Sequence, residues 1–172
     1  MPGPATKLIL AGILTYASVV MHEVGHYIVA TLYGLEAYIR VVTTGGIPSI
    51  AYTNVDFPSQ HMMAYLPGTA LAGPMMNLLI ASVLALIMFL IDDWASGVVA
   101  SINAGMCITN ALPSFEMVNM TFRILPLNDG GKAVYYSSVY PGMHVLCWLC
   151  IALMSSLSII ILAYGIRYIA SS

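Results

Sequence analysis

Three residues in the first quarter of the chain, His22, Glu23 and His26, have the types and spacing of a hydrolytic metal site. On a helix, His22 and His26 stand one turn apart on one face, so both imidazoles can reach the same cation. The H-E-x-x-H order sets a carboxylate beside that pair. Residue 23 is rotated about 100° from residue 22, so Glu23 can serve as base toward a water that the metal acidifies, without displacing a histidine. All three lie in an apolar run, LILAGILTYASVVM followed by HEVGHYIVATLY. Ionisable groups in lipid are costly and mark function; simple pairing of the three with one another would leave that cost unexplained.

Two histidines leave a catalytic zinc one protein ligand short of three. The acidic and imidazole candidates are Glu36, Asp56, His61, Asp92, Asp93, Glu116, Asp129 and His144. Asp92 and Asp93 fall at the opposite membrane surface from Tyr33. Asp129, in PLNDGG, stands at a helix start where two glycines permit a close backbone approach. It is the best choice, with His61 and His144 as rivals on spacing.

The elements that carry these groups must be solvated by lipid. Of 172 residues, 60% are hydrophobic and only 7% charged, with mean hydropathy +0.90; a soluble domain carries about 25% charged residues. One membrane-embedded domain over residues 1–172 is expected, all-α and polytopic, with about four transmembrane helices. These run from about Leu8 to Tyr33, His61 to Ile91 with a break at Pro67-Gly68, Ala95 to Leu112, and, as a final crossing, residues 143–168. Gly34 suits a C-cap. Glu36 to Asn54, rich in Tyr, Ile, Val and Thr around Gly45-Gly46, reads as a short interfacial β-hairpin. Pro113 to Asn128 reads as an irregular interfacial or re-entrant segment, followed by a helical stretch to Tyr140.

The net charge of −2 and the lack of any basic block exclude nucleic acid as a partner. Cys107, Cys147 and Cys150 read as buried small hydrophobes. The first apolar run is preceded by Lys7 alone and shows no cleavage pattern, so it reads as mature structure rather than a signal peptide. Four crossings put both termini on one side; Arg40, Arg123 and Lys132 then outnumber Lys7 and Arg167, which makes the side of residues 34–60 and 113–142 cytoplasmic. His22 lies about 11 residues from Tyr33, roughly 15 Å into the bilayer, so water must reach it through a polar cleft.

HEVGH in the first apolar helix, AGPMMN at Ala72 to Asn77 and LNDGG at Leu127 to Gly131 together resemble the site-2 protease family of intramembrane zinc metalloproteases, in the same order and over roughly residues 8–140. The resemblance implies a three-helix metalloprotease core holding one Zn2+ per chain through His22, His26 and Asp129, with Glu23 as base. It sets Asn77 near the substrate or the tetrahedral intermediate. Asn110, in NALP, is similar to an asparagine of that family's N-L-L-P element, although about a dozen residues separate Pro113 from Pro126; Asn103 shares its helix face. The implied activity is endoproteolysis of a single-pass or other helical membrane protein within the lipid bilayer. The strand region at 36–54 would hold the locally unwound substrate by edge pairing. No stretch reads as a PDZ-like or CBS-like regulatory segment, which leaves room for a separate regulatory protein. Two other functions use the same residues: a zinc hydrolase of a membrane-dissolved non-peptide amide, separable by product analysis, and a catalytically idle chaperone or scaffold, separable by Glu23→Gln. A metal transporter would need further ligands along a path that the remaining polar residues do not trace.

Overall fold

The computed structural model describes residues 4–44, 47–56, 64–118 and 123–171. Helix α1 (Pro4–Leu32) is followed by strands β1 (Glu36–Thr44) and β2 (Ile47–Asp56), helices α2 (Leu66–Ile91) and α3 (Trp94–Ala111), strands β3 (Phe115–Val118) and β4 (Arg123–Pro126), and helices α4 (Asp129–Ser137) and α5 (Pro141–Ser171).

Local chemistry sets the helix ends. Gly34, at φ +72°, takes the left-handed position after α1; its N–H bonds Thr31 O at 2.9 Å while Leu35 N bonds Ala30 O at 3.0 Å. These two bonds and the buried Leu35 and Ala30 make a Schellman stop. Pro67 sits in the first turn of α2, where a missing N–H costs nothing, so the helix is not broken there. At its far end Asp92 adopts φ 53° and bonds Met88 O, and Asp93 then caps α3, its Oδ2 accepting from Ser96 N at 2.8 Å. Such a cap is worth about 1 kcal/mol.

The helices form one bundle in which α3 packs between α2 and α5, with α1 against α2. Lys7 Nζ lies 5.2 Å from the Trp94 ring centroid and Tyr168 OH donates to Asp92 Oδ1 at 2.7 Å. The start of α1, the end of α2, the start of α3 and the end of α5 therefore meet at one end of the bundle. Close approach is bought with glycine. A Cβ on Gly25 would stand 2.6 Å from Ala72 O, and one on Gly97 would stand 3.0 Å from Met88 Sδ and Tyr168 Cδ1. Outward positions such as Leu79, Phe89, Leu153 and Ile160 are exposed and apolar, a face suited to lipid.

The expected fold class needs correction. Among the described residues three helices, not four, are long and apolar enough to cross a membrane: Ala5–Leu32, Leu66–Ile91 and Pro141–Ser171. They make the chain a multi-pass integral-membrane protein. The expected third crossing, α3, has 18 residues, about 27 Å of rise, and carries Ser96, Ser101, Asn103 and Asn110. Those groups are tolerated because α3 lies inside the bundle, where Asn103 donates to Ser18 Oγ at 2.8 Å and to Val99 O at 2.9 Å. Nor is the chain all-α with one short hairpin. The Gly45-Gly46 connection lies outside the described residues, and the described strands are longer and more numerous than expected. They form two separate antiparallel pairs: β1 with β2, in register from Glu36↔Asp56 and shifted between Val42 and Thr43, and β3 with β4, where a loop was expected.

Candidate metal centre

Helix α1 carries His22 and His26 on the face turned to α2, both buried, and Glu23 beside them. The ligand atoms of His22, Glu23 and His26 lie within 4.8 Å of one another. A cluster able to hold a metal ion thus sits in a membrane-length helix, and its motif points to hydrolytic chemistry. The glycine inside HEVGH lets α2 come in close enough to complete the surroundings.

Each imidazole is anchored from α2. His26 Nδ1 donates to Thr69 O at 2.7 Å, in the turn that Pro74 loosens by lacking an N–H for Ala70 O. A carbonyl only accepts, so the His26 proton is on Nδ1 and Nε2 keeps its lone pair. The side-chain amide nitrogen of Asn77, a fully buried residue, lies 2.9 Å from His22 Nδ1.

Asp129 arrives at the N-terminus of α4. Its Oδ2 is 2.9 Å from His22 Nε2 and 3.3 Å from His26 Nε2, and the two Nε2 atoms are 3.2 Å apart. Its Oδ1 lies 3.4 Å from Lys132 Nζ. Two ring nitrogens and a carboxylate oxygen turned to one another repel unless a proton or a cation lies among them. Tetrahedral zinc with ligands at about 2.0–2.1 Å has ligand-to-ligand edges of about 3.3 Å, which the observed triangle nearly matches. Gly73 leaves the room: a Cβ there would collide with His26 Nε2 and stand 2.5 Å from His22 Nε2. The donor set and the space fit zinc. Burial by itself would push the Asp129 carboxyl up; the hydrogen bond from His22 Nε2, the nearby His26 ring and the Lys132 ammonium outweigh it and hold the group below the usual carboxylate range.

Asn128 is what aims Asp129, and sequence reasoning missed it. Its Oδ1 accepts from Gly131 N at 2.9 Å and Ser114 N at 3.0 Å, and its Nδ2 donates to Thr109 O at 2.8 Å and Leu112 O at 2.6 Å. One side chain caps α4 and ties it to the end of α3. The signal was available: asparagine is a preferred N-cap, and this one directly precedes Asp-Gly-Gly. Ser114 and Leu127 meet, with Leu127 N bonding Ser114 O at 2.9 Å. NALP and NDGG therefore lie side by side despite their separation in sequence, close enough that a Cβ on Gly130 would collide with Ala111 O.

Other sequence candidates lie elsewhere. His144 bonds Ser137 Oγ through Nδ1 at 3.0 Å and accepts from Trp148 Nε1 at Nε2 at 3.1 Å. Asp92 and Asp93 serve the α2–α3 turn. Asn110 donates to Met106 O of its own helix at 3.0 Å. Glu36 and Asp56 pair at the far end of the β1–β2 register, and Glu116 lies exposed on β3. His61 lies outside the described residues. Thr69, unmarked in the sequence because it acts through its carbonyl, joins the site instead. Compared with known proteins, the chain matches no family model, no curated protein and no solved structure.

Proposed function

We propose that this chain is a zinc-dependent intramembrane endopeptidase of the site-2 protease type, acting on a membrane-spanning helical substrate. The observation that carries the reading is the meeting of Asp129 Oδ2 with both histidine Nε2 atoms, from elements far apart in the sequence, inside a bundle whose outer face is apolar. Burying a carboxylate against two imidazoles in a lipid-solvated protein carries a desolvation cost that a bound cation would offset. The adjacency of NALP and NDGG is a second support, since it brings together in space two elements that the intervening dozen residues separate in sequence.

His22, His26 and Asp129 would hold the zinc. When bound, it supplies Lewis-acid polarisation of a carbonyl and lowers the pKa of water. Glu23, next to the ligand pair and not needed as a ligand, takes the proton from the attacking water and delivers it to the leaving amine as the C–N bond breaks. Lys132 occupies Asp129 Oδ1 and leaves Oδ2 for the metal. Thr53 of β2 donates to Glu23 O at 2.9 Å, so extended backbone packs directly against the base-bearing turn. A substrate helix hides its carbonyls in its own hydrogen bonds; an unwound segment could be held extended along the outer edge of this strand pair. The side bearing residues 34–60 and 113–142 would be cytoplasmic.

The test is zinc content together with cleavage of a single-pass helical peptide, in liposomes, for wild type, Glu23→Gln and Asp129→Ala. Zinc is expected in the first two and much weaker zinc in the third, with cleavage by wild type alone. Zinc at wild-type affinity in Asp129→Ala, or cleavage by Glu23→Gln, would overturn the assignment.

A further inference from the structure

The contact between Asn77 and His22 contains a conflict that zinc would expose. Asn77 presents Nδ2, a donor only, to His22 Nδ1 at 2.9 Å. Nδ1 must then be the acceptor, so a neutral His22 carries its proton on Nε2, the atom 2.9 Å from Asp129 Oδ2. In that arrangement the Nε2 proton bridges to the carboxylate. It cannot bind a metal through Nε2, whose lone pair is used by the proton. His26 has no such conflict, since Thr69 O fixes its proton on Nδ1.

We propose that Asn77 is a positioning residue whose amide reverses with metal occupancy and sets the tautomer of His22. Without metal, Nδ2 donates to Nδ1 and the proton stays on Nε2. With metal, the His22 proton is on Nδ1 and Asn77 Oδ1 accepts it, which aims the Nε2 lone pair at the cation. Proton count and charge on the ring are unchanged; the proton changes nitrogen and the amide turns over. This inference rests on the reading of His22 as a zinc ligand.

Three features carry it. A carboxamide's two ends have almost the same shape, so reversal about Cβ–Cγ needs no repacking, even for a side chain with no exposed surface. Asn77 Oδ1 is buried without a hydrogen-bond partner among the described residues, so no second bond locks the present orientation. An asparagine, unlike an aspartate or a threonine carbonyl, can serve both tautomers, since it offers a donor and an acceptor at one place. Asn77 also sits one helical turn beyond Gly73, so the residue that leaves space for the ion and the residue that prepares its ligand share a face of α2.

The experiment uses purified full-length protein in detergent, stripped of metal and titrated with zinc against a competing chelator. Histidine ring nitrogens are read by 15N NMR, with His22 assigned by its loss in His22→Ala. The metal-free wild type is expected to show His22 with its proton on Nε2, and the zinc-loaded form with its proton on Nδ1. Asn77→Asp, which can only accept, should hold the Nδ1–H form without metal and bind zinc at least as tightly as wild type. Asn77→Leu, which offers neither group, should weaken zinc about 10- to 100-fold, the usual effect of losing a ligand's outer partner. A metal-free wild type already in the Nδ1–H form overturns the reversal, and this reading stands even if Asn77→Leu fails to fold. Asn77→Leu at wild-type zinc affinity, or Asn77→Asp falling as far as Asn77→Leu, overturns the positioning role and leaves the metal site untouched. Zinc bound by His22→Ala at wild-type affinity would instead remove the premise.

Discussion

Gly73 stands so close to His22 that a Cβ added to it would lie 2.5 Å from His22 Nε2 and also collide with His26 Nε2. Neither ring can swing away freely, since His26 is tied to Thr69 O and His22 to Asn77. Gly73→Ala should therefore compete with the cation for its own space. The expected result is zinc affinity lower by more than about 10-fold, the scale seen when ligand support is disturbed, with the helical circular dichroism retained. Zinc bound by Gly73→Ala as tightly as by wild type would mean the ion sits elsewhere.

Asn128 tests whether Asp129 is aimed or merely nearby. Its four hydrogen bonds join the start of α4 to Thr109, Leu112 and Ser114. Asn128→Ala should cost roughly 1–3 kcal/mol, combining a lost cap with carbonyls left unpaired. Asn128→Asp keeps the two accepting contacts and loses the two donations, so its melting temperature in detergent should fall between those of wild type and the alanine variant. Zinc affinity should follow the same order.

These residues also mark what was legible in the chain. His22, Glu23 and His26 could be read because the chemistry is local: one turn of one helix contains it. Asp129 stood out through its two glycines, whose packing against Ala111 and Ser114 is now visible. Thr69 left no trace, since a backbone carbonyl has no letter of its own. The count of crossings failed at α3, whose Ser96, Ser101, Asn103 and Asn110 leave it less apolar than the three membrane-length helices. The β3–β4 pair was missed since four-residue strands are too short for alternation to register.

His144 was a rival ligand, and its bonding argues against that role. Trp148 Nε1–H can only donate, so His144 Nε2 accepts and Nδ1 carries the proton toward Ser137 Oγ, whose own hydroxyl donates to Val134 O at 3.0 Å. Both ring nitrogens are engaged, Nδ1 tying α5 to α4 and Nε2 bonding within α5. His144→Ala should bind zinc in wild-type amount while melting lower, by an amount on the order of 1 kcal/mol. Loss of zinc at unchanged melting temperature would restore His144 as a ligand.

The Asp129 carboxyl supplies a prediction about acid. Burial would raise its pKa, but the hydrogen bond from His22, the nearby His26 ring and the Lys132 ammonium overcome that, so the folded group titrates below the ordinary value of about 3.9. A depressed carboxylate contributes stability that is present above the unfolded value and lost as pH falls through the folded one. In metal-free protein, the melting-temperature advantage of wild type over Asp129→Asn should therefore persist from neutral pH down to about pH 4, and shrink only below it. An advantage that disappears between about pH 6 and pH 5, well above the reference value, would mean that burial prevails and the carboxyl is protonated there. It would then be a poor ligand at neutral pH, and zinc would have to displace a proton from it before binding.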